Sequence, residues 1–201
     1  RFQTALSLGA MPGTLATGLL AELGFRDAAN PWERTAILCS AGTSVGNLME
    51  VLGRQQASDG REDYFIACAG IAGASGNVSS GIEAIEAMWF MSAVNPVLAE
   101  KALAEFTQNL RRTGKSPLTL ADPSRPFMKF NYWLDDVVNE KTKAALNSGC
   151  SVEERTRAIA LLALLEFPKL QPIAVKLLAP TEPDAVRVAT IKLLGQQRDA
   201  K

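Results

Sequence analysis

The sequence predicts an all-α fold in which antiparallel helix pairs stack as a right-handed α-solenoid. Apolar residues recur at spacings of three and four, which places them on one face of a helix. Proline and helix-capping residues separate these periodic segments into short units. Helix-opening arginines also repeat, 33 residues apart from Arg1 to Arg34 and 32 apart from Arg155 to Arg187. A period of this length fits one helix pair, the repeating unit of an α-solenoid.

Three of the predicted helices share a small internal residue and a final glycine. Ala5, Ala36 and Ala189 lie inside them and leave room for a neighbouring helix to approach. Because glycine adopts the left-handed conformation cheaply, each glycine is expected to end its helix. Asn30-Pro31 precedes the second of these helices. Each helix runs from an arginine to a glycine eight residues later: Arg1 to Gly9, Arg34 to Gly42 and Arg187 to Gly195.

The central part of the chain has a less regular pattern. The segment 115–129 carries Pro117, Pro123 and Pro126 and is predicted to be a long loop. Helical periodicity around it predicts four helices, at 61–74, 79–93, 97–113 and 132–147.

The helix at 97–113 has the clearest amphipathic pattern. Asn95-Pro96 is expected to open it, with asparagine as N-cap and proline first in the helix, and Gly114 is expected to close it. Charged and polar residues occupy the opposite face. The apolar stripe consists of Ala99, Ala102, Leu103, Phe106 and Leu110.

The C-terminal region begins with a capping-box pattern. Ser151 is followed three residues later by Glu154, and this pair is typical of a helix start. The helix is expected to continue through Leu165 and to end at Pro168. Two further helices are predicted, one at 171–178 stopped by Pro180 and one opened by Glu182-Pro183-Asp184 and closed by Gly195.

The composition excludes several classes of protein. The 201 residues carry 21 Lys+Arg and 21 Asp+Glu, and 47% are apolar, which excludes a disordered segment. The densest basic cluster, Arg111-Arg112 with Lys115, is expected to be a solvated helix end rather than a nucleic-acid surface. The longest apolar run, residues 158–165, is far shorter than the about 20 residues that cross a bilayer. Neither nucleic-acid binding nor direct membrane insertion is therefore predicted.

Two glycine-rich stretches resemble motifs of enzymes and cofactor-binding proteins. Residues 42–46 read G-x-S-x-G, the pattern of a serine hydrolase elbow, but the chain contains no histidine to act as the base. Residues 70–76 follow a strand-like run and read G-x-x-G-x-x-G, whereas a dinucleotide site needs G-x-G-x-x-G. The alternative hypothesis is a small α/β nucleotide-binding or hydrolase-like domain that uses one of these stretches.

Cysteine, tryptophan and carboxylate positions predict no reactive site. Cys39 and Cys68 lie in apolar runs and are expected to be small buried hydrophobes, and no C-x-x-C pair is present. Paired acids such as those at 135–136 and 153–154 are adjacent, so they point to different sides of a helix. The tryptophans are expected to cover the core or the seams between repeats, and one could instead mark a partner surface: Trp32, Trp89 and Trp133.

The N-terminal residues resemble HEAT-like repeats. The resemblance rests on Arg1–Gly9 and on 26–40, which contains Asn30-Pro31-Trp32, and the stretch from Glu154 to Gly195 is similar to later repeats of the same kind. The likeness covers 1–57 and 150–196 and is closest to the helical segment of the large PVC-type haem-binding proteins, also described as membrane-bound dehydrogenases.

That resemblance implies a spacer between redox modules. In the family, a β-propeller resembling sugar dehydrogenases precedes the helical segment and a c-type cytochrome domain follows it. The haem-attachment pattern C-x-x-C-H is absent here, so no haem ligand carries over. Because the chain starts at Arg1 rather than Met, residues 1–201 are expected to be a single HEAT-like domain excised from a larger protein. The family also implies a periplasmic or membrane-associated bacterial location.

The sequence therefore predicts a non-catalytic helical-repeat scaffold or protein-interaction domain. No catalytic, cofactor-binding or metal-binding residues are predicted, and no small-molecule ligand is expected. The expected partners are other domains of the same chain or another protein.

Overall fold

The computed structural model describes residues 2–11, 14–27, 29–54, 60–120 and 129–197. All regular elements in these ranges are helical, so the predicted all-α class is confirmed. Short 3₁₀ turns, Gly42–Ser44 and Leu162–Leu164, follow the third and the tenth helix. The helices are α1 (Phe2–Gly9), α2 (Thr14–Asp27), α3 (Pro31–Ala41), α4 (Val45–Arg54), α5 (Arg61–Ser75), α6 (Val78–Ser92), α7 (Pro96–Arg111), α8 (Pro117–Leu120), α9 (Lys129–Leu146), α10 (Val152–Leu161), α11 (Phe167–Leu177) and α12 (Asp184–Gln196).

The chain divides into two compact units, Arg1–Asn109 and Leu110–Lys201, and the division falls within the last turn of α7. In the first unit each helix from α1 to α5 packs on the next one. Helices that are next but one also pack together, α1 on α3, α2 on α4, α3 on α5 and α4 on α6. The core of this unit contains large, fully buried side chains, among them Ile37, Leu48, Phe65, Ile85 and Met88.

The second unit shows part of the same order of contacts. Helix α9 packs on α10 and α11, and α12 packs on α10 and α11. Its buried cluster is aliphatic and includes Ile159, Leu162, Leu170, Val186 and Leu193. Both units therefore contain helices that pack on the helix next but one along the chain.

Side-chain caps begin several helices where the sequence predicts them. Asn30 Oδ1 accepts a hydrogen bond from the Trp32 amide at 3.1 Å, and Asn95 Oδ1 accepts one from the Leu98 amide at 3.0 Å. The capping box before α10 is complete, because the Ser151 amide donates to Glu154 Oε2 at 2.9 Å and the Glu154 amide donates to Ser151 Oγ at 3.2 Å. Asn77 caps α6 in the same way, a cap that the sequence analysis does not predict.

Of the three glycines predicted to end a helix, Gly42 and Gly9 do so and Gly195 does not. Gly42 has a positive φ of 51° and ends α3, as predicted. Gly9 is the last residue of α1 but has no positive φ, and Gly195 lies inside α12. A Cβ at Gly9 would lie 2.7 Å from Ser40 Cβ, so this glycine allows α1 to approach α3. Gly114 has a positive φ of 80° but lies beyond the end of α7.

Two of the predicted boundaries that depend on proline differ in the structure. Pro168 does not end α10; it occupies the first turn of α11, where a proline needs no amide partner. Helix α11 therefore starts four residues earlier than predicted and contains Pro172 in its interior. The short helix α8 lies within the predicted loop 115–129, and residues 121–128 of that loop lie outside the described ranges.

Arginine side chains connect the ends of helices to other elements. Arg155 is 3% exposed; its Nε donates to the Ala145 carbonyl at the end of α9, and its Nη2 donates to Glu182 Oε2 at 2.6 Å. Arg61 donates to the carbonyls of Leu52 and Gly53 in the last turn of α4. The last four carbonyls of a helix lack partners within it, and these guanidinium groups supply donors.

Replacing Arg155 with methionine is expected to lower the free energy of unfolding by about 3 kcal/mol, because mostly buried Glu182 would lose its cation. Urea denaturation followed by circular dichroism measures this change. The matched control is Arg187→Met, which breaks an exposed pair with Asp184 and should cost less than about 1 kcal/mol. Equal losses in the two variants would contradict the role assigned to Arg155.

Candidate functional site

A cavity of about 350 Å³ lies between α1, α2, α3 and the 3₁₀ turn after α3. Thr17, Ser40 and Ser44 contribute hydroxyl groups to its wall. The apolar part of the wall includes Leu8, Met11, Ala16, Leu20 and Ala41. The cavity therefore combines polar groups with a smaller apolar surface.

The described side chains of this cavity carry no charge. Ser40 Oγ already donates a hydrogen bond to the Ala36 carbonyl at 2.8 Å. The hydroxyls can exchange hydrogen bonds with a neutral molecule, but none of them can act alone as a base near neutral pH. The described lining residues include no acid, base or histidine that could transfer a proton.

The G-x-S-x-G stretch at 42–46 borders this cavity and has a structural explanation. Its first glycine, Gly42, ends α3, and Ser44 closes the 3₁₀ turn. Its second glycine, Gly46, lies in α4, where a Cβ would be 2.6 Å from Glu83 Cβ and 2.8 Å from the Ser80 carbonyl of α6. A nucleophile elbow follows a strand, whereas the residues before Gly42 form α3.

The second glycine-rich stretch, 70–76, is also part of a helix. Gly70 lies in α5 beside α7, and a Cβ there would be 3.2 Å from Glu105 Cγ. Gly76 has a positive φ of 59° and caps α5 at its C-terminal end. The strand-like run 64–66 is helical too. The α/β alternative therefore lacks both of the strands that its motifs need.

The prediction that the basic cluster around Arg111 is a fully solvated helix end is wrong for Arg111. Arg111 is largely buried, and its guanidinium donates to the carbonyls of Ala163 at 3.0 Å and Leu165 at 2.7 Å. Glu166 lies 3.6 Å from the same guanidinium and accepts a hydrogen bond from Ser116 Oγ. Arg112 is exposed, as the sequence predicts. Arg111 instead binds the carbonyls that end the 3₁₀ turn after α10.

The cysteines occupy three different environments. Cys68 is fully buried, as predicted, and burial raises the pKa of its thiol. Cys39 is exposed, so its predicted burial is wrong; α3 turns Ala36 and Ile37 inward and Cys39 outward. Cys150 is half-buried. In the described residues no group of three or more Cys, Asp or Glu side chains is arranged to hold a metal ion.

The three tryptophans divide into two kinds. Trp89 and Trp133 are half-buried, and the Trp89 ring packs against Phe90 with centroids 4.8 Å apart. Trp32, at the start of α3, is 76% exposed. Of the three, Trp32 therefore fits the alternative interpretation, in which a tryptophan marks a partner surface.

A group of carboxylates that the sequence analysis does not single out lies between α4 and α6. Glu86 is exposed on α6 but close to Glu50 and Glu83, and its pKa is raised by partial burial and by the charges of these two neighbours. The acids Asp135 and Asp136, by contrast, are both exposed on α9. Glu50 and Glu86 are brought together by the packing of α4 on α6, and no local sequence pattern indicates that packing.

Comparisons with protein-family models, with curated proteins and with solved structures find no match for this chain. Separately, none of the helices in the described ranges is both long and apolar enough to cross a membrane.

Replacing Gly46 with alanine is expected to lower the free energy of unfolding by about 1–3 kcal/mol, because the new Cβ would press against the α6 backbone. Thermal and urea unfolding measure the loss. In the control, Gly195→Ala, the Cβ meets no described atom within 4 Å, and stability should rise by up to about 1 kcal/mol. A stabilised Gly46→Ala variant would contradict the close approach of α4 and α6.

Replacing Glu86 with glutamine is expected to raise the melting temperature at pH 7. The pKa of Glu86 in the folded protein lies above its unfolded value, so its contribution to stability is present at low pH and is lost as the pH rises through the folded pKa. The gain over the wild type should therefore shrink as the pH falls below the unperturbed glutamate pKa of about 4.3. The control Glu153→Gln, at the start of α10, should give no gain, because a helix N-terminus favours negative charge.

Proposed function

We propose that this chain is a non-catalytic scaffold of HEAT-like helix pairs, an α-solenoid that binds a protein partner or neighbouring domains. The pattern of which helices pack on one another supports the proposal. In a stack of helix pairs, each helix contacts its partner in the pair and the equivalent helix of the next pair. The packing of α1 on α3, α2 on α4, α4 on α6 and α10 on α12 follows this rule within each unit.

The roles of the motif residues support a scaffold rather than a catalyst. The glycines of 42–46 end α3 and allow α4 to approach α6, and those of 70–76 lie in α5 and at its cap. The hydroxyls beside the cavity have no charged neighbour among its described lining residues. These residues are accounted for by helix packing without any catalytic step.

Trp32 is the residue that we expect to anchor a partner. Its side chain is mostly exposed in a helical first turn that Asn30 fixes by capping, so the indole is presented from a rigid position. Tryptophan is enriched among the residues that dominate binding energy at interfaces.

Placing a photo-crosslinking phenylalanine derivative at Trp32 is expected to capture one discrete partner in the cells that produce the protein. The same derivative at Val152, an exposed position at the start of α10, is the control and should give no discrete product. Trp32→Ala should leave the unfolding free energy within about 0.5 kcal/mol of the wild type, because the residue is on the surface. The absence of a discrete product at residue 32 would contradict a partner at this surface.

The residue resemblance supports a further proposal about the protein that contains this chain. We propose that it is the spacer segment of a PVC-type haem-binding protein with a membrane-bound dehydrogenase activity. Sequencing the gene on both sides of the region that encodes residues 1–201 tests this proposal directly. A β-propeller before the chain and a C-x-x-C-H motif after it are expected, and a frame with neither would contradict the proposal.

A further inference from the structure

The cavity between α1, α2 and α3 has buried walls and an exposed rim. Leu8 and Leu20 are buried, so the walls that they form lie below the surface. At the rim, Met11 is 53% exposed and Gly42 is exposed as well. The volume of about 350 Å³ lies at the lower end of the roughly 300–1,000 Å³ that ligand pockets occupy. A small molecule can therefore enter this cavity from solvent and be largely enclosed.

Two hydroxyl groups on the cavity wall have no partner among the described residues. Thr17 is 8% exposed, and its hydroxyl makes no hydrogen bond to a described residue. The Ser44 hydroxyl, at the end of the 3₁₀ turn after α3, makes none either. The Tyr64 and Ser80 hydroxyls are also without a partner in the described ranges, but they are closed off from any space, and those of Thr17 and Ser44 are not. Both cavity hydroxyls are therefore available to a molecule in the cavity.

The hydrogen-bonding capacity of the wall defines the chemistry of a ligand. Ser40 Oγ donates to the Ala36 carbonyl at 2.8 Å, so only its lone pairs remain for a ligand. Thr17 and Ser44 can each donate and accept. A complementary ligand must therefore both donate and accept hydrogen bonds, as hydroxyl groups do. Because the described lining residues carry no charge, an ionised ligand would lose its water without gaining a counter-ion.

We propose that this cavity binds a small neutral polyol. The hydroxyl groups of the ligand bond to Thr17, Ser40 and Ser44, and its carbon skeleton lies against Leu8 and Leu20. This binding site goes beyond the scaffold function, and it departs from the sequence prediction that no small-molecule ligand is expected. A ligand held only by the folded arrangement of α1, α2 and α3 also stabilises that arrangement.

Titration with myo-inositol, followed by ¹H–¹⁵N NMR, tests the site. The amide signals of cavity residues such as Thr17 and Ala41 should shift and reach saturation as the concentration rises. Gluconate and cyclohexanol are the comparison compounds, and each should bind at least about tenfold more weakly. Gluconate is ionised and finds no counter-ion among the described lining residues, whereas cyclohexanol has a single hydroxyl and leaves wall hydroxyls unpaired.

Variants of Thr17 separate a binding role from a structural one. Thr17→Val removes the hydroxyl, keeps the shape of the side chain and should weaken myo-inositol binding by about tenfold. Its melting temperature without ligand should not fall, because the hydroxyl has no described partner to lose. Thr17→Ser keeps the hydroxyl and should keep the binding. The matched control is Thr35→Val, which removes an exposed α3 hydroxyl bonded to the Pro31 carbonyl and should bind like the wild type.

Ser44→Ala supplies a second variant if Thr17→Val does not fold, and the same loss of binding is expected. Three results would each overturn the proposal: no saturable shift with myo-inositol, equal binding of gluconate, or full binding by the Thr17→Val and Ser44→Ala variants that fold. Crosslinking at residue 32 tests the scaffold function separately, since Trp32 is not among the residues that line this cavity.

Discussion

Carbonyl groups at the ends of helices must accept hydrogen bonds when they lie inside a protein, and the buried or half-buried arginines Arg155, Arg61 and Arg111 meet this requirement here. Arg155 is the clearest case, because one guanidinium joins the end of α9, the body of α10 and the residue Glu182 before α12. Arg61 and Arg111 bind helix-end carbonyls in the same way. The planar guanidinium suits this role, since it presents several donors in a fixed geometry and stays charged. The three guanidinium groups thus supply donors to six of these carbonyls: Leu52, Gly53, Ala145, Ala163, Leu164 and Leu165.

Close approach between helices is the second constraint, and it explains residues that look functional in the sequence. The stretch 42–46 resembles a catalytic motif because it contains two glycines around a serine. In the structure one glycine ends α3 with a positive φ and the other lets α4 contact the α6 backbone. Interiors are packed as closely as organic crystals, so a single Cβ decides whether two such helices can meet. A pattern of this kind in an all-helical chain is better explained by packing than by chemistry.

The surface of the molecule is where a function is best sought. The described cavity residues are uncharged, whereas Trp32 exposes a side chain of a type that is enriched at interfaces. Contacts through the faces of helix pairs suit a scaffold, because each pair that is added buries the apolar face of the one before.

Local patterns in the sequence determined the helical class, the Asn30, Asn95 and Ser151 caps, and the central helices to within a few residues, because capping and periodicity depend on neighbours along the chain. The tertiary structure decided which residues face inward. Arg111 and Arg155 look like surface charges until α10 and its 3₁₀ turn are in place, and Cys39 looks buried until α3 turns it outward. The tertiary structure also decided the role of each glycine. Gly42 ends a helix, Gly46 lies against another helix, and a Cβ at Gly195 would meet no described atom of another element within 4 Å. Burial depends on residues that are distant in sequence, and no local pattern contains that information.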